Sequence, residues 1–521
     1  MIRCRVMRLS TAFFKRHSTM LTALALSVGF FLVQFFFIND YGVSWDEPLH
    51  RNWGKIFYIF LRTGERRFLE VMPGHGIHYG PVYYFINYLL SEKIFLLHLL
   101  SFVASNHVLN ILVSSGAVGL LFLLAYALGG RRIAFLSVLF LVFFPPFIAH
   151  AHYNPKDIPL MTAVLLTSLT FVHAFRTSRR NLFCLTGFLF GVCIALKVSA
   201  LLMLPAFGMS YLLWCFSAEK TAASRKQALV TMLLTILAIM IGTIAAWPSA
   251  WGDLMLIPRS IFFFARDFWP GKVLFLGTEY AGANLPWYYT PLEYFMVMPL
   301  ITIVAFLIGS FCMIRNIRRT NPGATFLFLV LWILVPIVFS LKPNLVRYDG
   351  MRQFFFCLPA IAMAAAFGCD AFLKFVERSM RKPFLWLCVF LSIVSVSLLY
   401  EVIIVHPFEG SYRNELVRAF IPSDLDHTFQ IEYWGPTYKQ GMDWLRKNAD
   451  HNPVICVPTA GILATWYVWR EDFTFECSEK SNYIMFFTRY SEAGQYALLP
   501  MEPVFTIERM NSLLLKIYKV K

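Results

Sequence analysis

The sequence predicts a polytopic α-helical membrane protein of about eleven spans, with a long first external loop and a small α/β domain after the last span. Three observations carry this. Hydrophobic residues make up 58% of the chain, above the roughly 45–50% of soluble domains, and the mean hydropathy is +0.60. Apolar runs of roughly 17–25 residues recur, the length that crosses about 30 Å of hydrocarbon as helix. Between them, every second loop is basic.

The runs fall near 20–38, 107–128, 133–150, 158–175, 182–196, 198–216, 227–247, 293–314, 324–341, 354–373 and 384–404. The pair 182–196 and 198–216 is short, which leaves a helical hairpin that does not fully cross as an alternative. Basic loops hold Arg3, Arg5, Arg8, Lys15 and Arg16, then Arg131 and Arg132, then Arg176, Arg179 and Arg180. Further on come Lys220, Arg225 and Lys226, then Arg315, Arg318 and Arg319, then Lys374, Arg378, Arg381 and Lys382. Glu219, Asp370 and Glu377 are the acids among them. Lysine and arginine gather on the cytoplasmic side, so the N-terminus is expected inside and the tail outside. The net charge of +16 is then a topology signal and does not call for a nucleic-acid partner.

Loop 39–106 is too long for a bare connector. "LHRNWGKIFYIFLRTGERRF" and "YGPVYYFINYLLSEKIFLLHLL" alternate apolar and polar faces at helical spacing, as interfacial helices do. Loop 248–290 is rich in Trp, Phe, Tyr, Pro and Gly. The tail 405–521 has the size of a small domain. In it "TYKQGMDWLRKNA" reads as an amphipathic helix, and "NPVICVP", "DFTFECS", "NYIMFFTRY" and "LLLKIYKVK" as strands. Of ten cysteines, Cys456 and Cys477 alone share this tail; a disulfide and two free thiols both fit.

Three places put charge where a bilayer penalises it. In "DYGVSWDEPLH", Asp46 and Glu47 follow the first span. They are either solvated interface residues or a base that meets an acceptor hydroxyl at the surface. In "HAHYNPKDIPLMT", prolines break the helix around His150, His152, Lys156 and Asp157. This is a weak metal signature and a stronger case for Asp157 as partner of Asp46. Lys197 in "GVCIALKVSALLMLP" either snorkels or faces an anion, for which a lipid phosphate is the obvious choice. "NLVRYDGMRQF" adds Arg347, Asp349 and Arg352, suited to phosphate or to anchoring a loop. Arg259, Arg266 and Asp267 are weaker candidates. No Walker loop, GxGxxG or GxSxG is present, so no nucleotide cofactor or serine-hydrolase chemistry is expected.

Taken in order, "WDE", "NPKDIP", "ALKVSALLMLP", "WPSAW…VLFLG…LPWYYTPL", "YDGMRQFFFCLPA" and "HPFEGSYRNELV…EYWGPTYKQGMDWL" resemble the GT-C glycosyltransferases. The likeness is to bacterial relatives of the dolichyl-phosphate-mannose–protein mannosyltransferases and of the lipid A aminoarabinose transferases. It implies a wall of membrane helices around a cavity at the outer leaflet. There a monosaccharide on polyprenyl phosphate would pass, with inversion, to a protein, lipid or glycan. By this resemblance Asp46 is the base, Glu47 its neighbour in the family's acid pair, and Asp157 the second acidic position. Lys197 and Arg352 would contact the donor phosphate, and Arg347 and Lys156 join that set on their charge, not on the resemblance. A divalent metal stays open, because some relatives hold one and others do not. The resemblance further implies a bacterial inner membrane, residues 1–404 as the transferase region, and 405–521 as a periplasmic domain. The alternative is a transporter or flippase of lipid-linked sugar, which would call for broken midplane helices and paired repeats.

Overall fold

Small residues decide how the helices cross. A Cβ on Gly309 would run into the carbonyl oxygen of Ala364, and one on Gly368 into that of Ala305. The helices Leu300–Ile317 and Leu358–Ser379 therefore meet backbone to backbone through two small-xxx-small stripes, the usual device where lipid supplies no hydrophobic drive. Gly187, Gly191 and Gly242 do the same for Arg180–Leu196 against Ala222–Ala246. The computed structural model describes all residues except 1, 217–221, 267–268, 318–322, 468–470, 495, 497–498 and 521, and omits the side chains of 2–17, 222–224, 323 and 492. Glu219, Lys220, Asp267, Arg318 and Arg319 thus lie outside the described residues, as do the side chains of Arg3, Arg5, Arg8, Lys15 and Arg16.

Among the described residues, eight helices are long and apolar enough to cross a membrane, with shorter apolar helices at Arg180–Leu196 and Ala324–Ser340. Each expected run lies in helix, with three differences. Phe102–Val142 joins two runs across Gly130, whose φ of 78° breaks the helix. The second of those runs stops at Val142 and restarts at Pro145, because proline cannot donate within a helix. The run at 293–314 divides at Pro299 into Tyr289–Val297 and Leu300–Ile317. The largest core is the helical one, built on Leu121, Phe140, Met161, Phe328 and Trp332 among others.

The first long loop forms two long helices, Glu47–Thr63 and Val82–Leu96, with the short turns Arg67–Glu70 and Gly76–His78 between them. Glu47, His50, Trp53, Gly54 and Phe57 are buried on the first, at the i, i+3, i+4 spacing of one face. Gly54 lets Tyr84 of the second come close.

The strands Lys272–Phe275 and Thr278–Ala281 of loop 248–290 are β1 and β2. The tail supplies β3 (Val454–Cys456), β4 (Thr474–Phe475), β5 (Tyr483–Phe487), β6 (Phe505–Arg509) and β7 (Ser512–Lys519). These form a five-stranded sheet of order β4-β3-β5-β7-β6. β3 runs parallel to β4 and β5. β7 is antiparallel to β5 and to β6. Tyr438–Asn448 is the expected helix. β6 escaped the sequence reading, although Met510 and Asn511 both have positive φ, the geometry of a tight hairpin turn. Cys456 and Cys477 are disulfide-bonded. The sheet does not stand apart: its core runs on through Val43, Val273, Phe275 and Tyr289. A hairpin in loop 248–290, Lys272–Phe275 with Thr278–Ala281, bridges to the tail through Phe275 and Phe429.

Replacing Gly368 by Leu is expected to cost at least about 1–3 kcal/mol through overpacking, read as a lower melting temperature in detergent. Gly116→Leu is the control, since a Cβ there meets nothing within 4 Å.

Candidate active site

Asp46 stands one residue ahead of the helix Glu47–Thr63 yet makes no capping hydrogen bond to it. Its carboxylate meets Arg352 instead, with Nη1 3.2 Å from Oδ2. Arg352 opens the short 3-10 turn Arg352–Cys357, and its other terminal nitrogen lies 2.6 Å from Asp349 Oδ2. The guanidinium sits over the rings of Trp434 and Tyr348, 4.7 and 5.2 Å from their centroids, where cation–π attraction adds to its hold. Burial alone would push the Asp46 carboxyl up. Arg352, then Lys156, pull harder the other way and hold it below the usual carboxylate range. This acid is ionised.

Lys197 closes the helix Arg180–Leu196 in extended conformation. Its ammonium lies 2.6 Å from Asp157 Oδ1, so it is not the lone charge that its sequence context suggests. Asp157 is almost fully buried, and Asn154 fixes it twice, accepting from its backbone N–H at 2.9 Å and donating to Oδ2 at 2.9 Å. The irregular "NPKD" turn is therefore a mount for this carboxylate.

Two cavities share a wall of Tyr79, Lys156, Phe264, Tyr348 and Arg352. The first, about 290 Å³, contains Asp46, Asp349 and Arg489 between Trp45, Trp269 and Trp434. The second, about 400 Å³, contains Lys197 and Lys342 beside Leu201, Leu202, Ile261 and Phe339. An anionic group at the shared wall would meet Lys156 and Arg352, with an apolar passage on one side and Asp46 on the other.

The structure thus brings Asp46, Lys156, Lys197, Asp349 and Arg352 together around the two cavities and leaves Glu47, Asp157, Arg347, His150 and His152 outside their linings. Glu47 turns away, accepting from the Ser44 N–H at 2.6 Å and lying 3.1 Å from His107 Nε2. Asp157 lines neither cavity; its partner is Lys197, where the sequence suggested Asp46. Arg347 is not available to a phosphate: it donates to the carbonyls of Leu285, Pro286, Trp287, Ser340 and Leu345. A guanidinium so occupied holds a loop. His150 stacks on Phe355 and His152 on Tyr41, so the two imidazoles part. Among the described residues no three of His, Cys, Asp and Glu stand where they could hold a metal ion, and no step below is routed through one.

Sequence reasoning missed Tyr79, Lys342, Tyr348, Trp434 and Arg489. Trp434 lies within the quoted "EYWGP" but carried no charge to attract notice, and Arg489 was read only as part of a strand.

The Asp46 segment is also held from the tail. The Trp45 N–H donates to the Trp434 carbonyl at 2.8 Å, and Glu432 Oε1 accepts from the N–H groups of Trp434 and Gly435, both at 2.9 Å. Burial pushes the Glu432 carboxyl up to about 7.

With this geometry in hand, comparison with known proteins places the fold. The family model described as dolichyl-phosphate-mannose-protein mannosyltransferase matches residues 87–247. No curated protein matches the sequence. ArnT from Cupriavidus metallidurans, solved bound to undecaprenyl phosphate, superposes with a TM-score of 0.52 at 12% identity, over 95% of this chain and 97% of that one. The apo oligosaccharyltransferase of Archaeoglobus fulgidus gives 0.51 at 10% identity, over 92% of this chain and 71% of that one.

Glu432 makes a pH prediction. Its folded pKa of about 7 lies above the ordinary 4.5, so between these values the folded state keeps a proton that the unfolded state has lost. Stability should then fall as pH rises through this window, by on the order of 3 kcal/mol in all. Glu432→Gln should flatten that slope in melting curves taken from pH 5 to 8.

Proposed function

We propose that this chain, a multi-pass membrane protein of the GT-C glycosyltransferase fold, transfers a monosaccharide from a polyprenyl-phosphate donor to an acceptor hydroxyl, with inversion. The observation that carries this is the pair of cavities joined at Lys156 and Arg352, with an ionised carboxylate in one and an apolar passage beside Lys197 in the other. The match to mannosyltransferases and the lipid phosphate bound by ArnT point the same way.

In this reading the polyprenyl chain lies along Leu201, Leu202 and Phe339, and the donor phosphate faces Lys197, Lys156 and Arg352. Asp46 accepts the proton of the acceptor hydroxyl as its oxygen bonds to the anomeric carbon. The bond from that carbon to the phosphate oxygen breaks, and the oxygen keeps the electron pair. The leaving phosphate gains one negative charge, which the three cations stabilise where it develops. Asp157 acts through Lys197 by fixing where the ammonium points. Residues 1–404 form the transferase region and 405–521 an outer domain. The alternating basic loops favour a cytoplasmic N-terminus, and the Cys456–Cys477 disulfide favours an oxidising compartment for the tail. The setting is a bacterial inner membrane with the site at its periplasmic face. The acceptor is a protein, lipid or glycan.

The test is transfer of label from a panel of polyprenyl-phosphate sugars into membranes. Asp46→Asn should lower the rate by about 10²–10⁴ while polyprenyl-phosphate binding persists. Full activity in that variant would remove Asp46 as base. Lys197→Ala should weaken binding of the lipid phosphate itself, whatever sugar it carries.

A further inference from the structure

In the cavity that holds Asp46, one ion pair is left ajar. Asp349 gives Oδ2 to Arg352, but its Oδ1 has no hydrogen-bond partner and lies 3.7 Å from Arg489 Nη1. All three side chains are about nineteen-twentieths buried, at 5%, 6% and 5% exposure. A buried carboxylate oxygen with an ion-pair contact but no hydrogen bond is under-satisfied, and the backbone holds it in that position. Asp349 has φ of 56° and precedes Gly350 at 65°, a left-handed step that a non-glycine residue takes at some strain. The Gly350 N–H donates to the Tyr289 hydroxyl at 2.9 Å and holds the step in place. On the opposite side, Arg489 donates to the Tyr433 carbonyl at 3.2 Å, and its guanidinium stands 5.1 and 5.2 Å from the ring centroids of Trp45 and Trp269.

The chemistry of the gap selects its occupant. A phosphate would be repelled by Asp349 and Asp46, and an amine by Arg489, Arg352 and Lys156. A hydroxyl suits both sides, since it donates to the carboxylate and accepts from the guanidinium. The walls beside it, Trp45, Trp269, Tyr348 and Trp434, offer apolar surface to C–H groups. Hydroxyls on a carbon ring combine both properties.

We propose that Asp349 and Arg489 form a hydroxyl-reading subsite that seats a sugar ring beside Asp46, with the tail domain supplying half of it. This rests on the transfer reading above. The ring is either the donor's sugar or a sugar of the acceptor, and binding to the purified full-length chain distinguishes them. One arm compares polyprenyl-phosphate hexoses and pentoses with bare polyprenyl phosphate. The other titrates methyl glycosides and their monodeoxy analogues in the presence of bare polyprenyl phosphate.

If the ring is the donor's, Arg489→Gln erases a preference for sugar-bearing over bare lipid of about ten- to a hundredfold with bare-lipid affinity unchanged, and Asp349→Asn erases the same ratio while also shifting bare-lipid affinity through Arg352. If it is the acceptor's, that preference survives and glycoside affinity falls by the same factor. In either case, removing the hydroxyl that is read costs wild type this factor and costs the Arg489→Gln variant almost nothing. Variants that melt as wild type does, yet stay within twofold of it in both arms, overturn the proposal, as does wild-type binding blind to sugar throughout. Lys197→Ala separates the two readings: unaltered lipid binding there sinks the phosphate site and leaves the result at Asp349 to be judged on the glycosides.

Discussion

Buried charge needs buried partners, and the site is organised by that requirement. Lys197 beside Asp157, and Arg352 between Asp46 and Asp349, sit where a lone ion would cost several kcal/mol. Such pairs are weak contributors to stability against an apolar alternative, but removing one member strands the other. Their common effect is to fix cations around the two cavities. Preorganised charge of this kind needs no reorientation when new charge develops.

The same requirement explains how the residues divide. Arg347 and Arg352 are five positions apart in one short segment and carry the same group. Arg347 is surrounded by backbone carbonyls and serves the loop. Arg352 has carboxylates and aromatic faces around it and stays turned toward the cavity. Glu47 and Asp46 divide likewise, one bound to Ser44 and His107, the other to Arg352.

The helical membrane fold was legible in the sequence because its signals are local: the length of an apolar run and a proline that ends a helix. The helix and four strands of the tail were legible from periodicity, and Asp46 and Lys197 from charge at a position that a bilayer disfavours. What could not be read was direction. Nothing in "NLVRYDGMRQF" says that Arg347 faces inward to carbonyls and Arg352 to the cavity, because that depends on segments 60 residues and 300 residues away. Asp157 is singled out in the sequence as a partner for Asp46, yet the partner it meets, Lys197, lies 40 positions on, across a helix boundary. The strand β6 was lost for a milder reason, a two-residue turn without glycine.

The peptide link from Trp45 to the tail has a consequence for how such a chain can be divided. The N–H just before Asp46 is held by the Trp434 carbonyl, and the Val43 N–H donates to the Tyr467 hydroxyl. The first loop and the terminal domain therefore act as one clasp around the carboxylate, though nearly four hundred residues separate them in sequence. A chimera that exchanges the tail alone would move the Asp46 carboxylate, and only grafts that carry both halves of the clasp preserve its aim. The two segments should behave as a single inherited module whose parts change together.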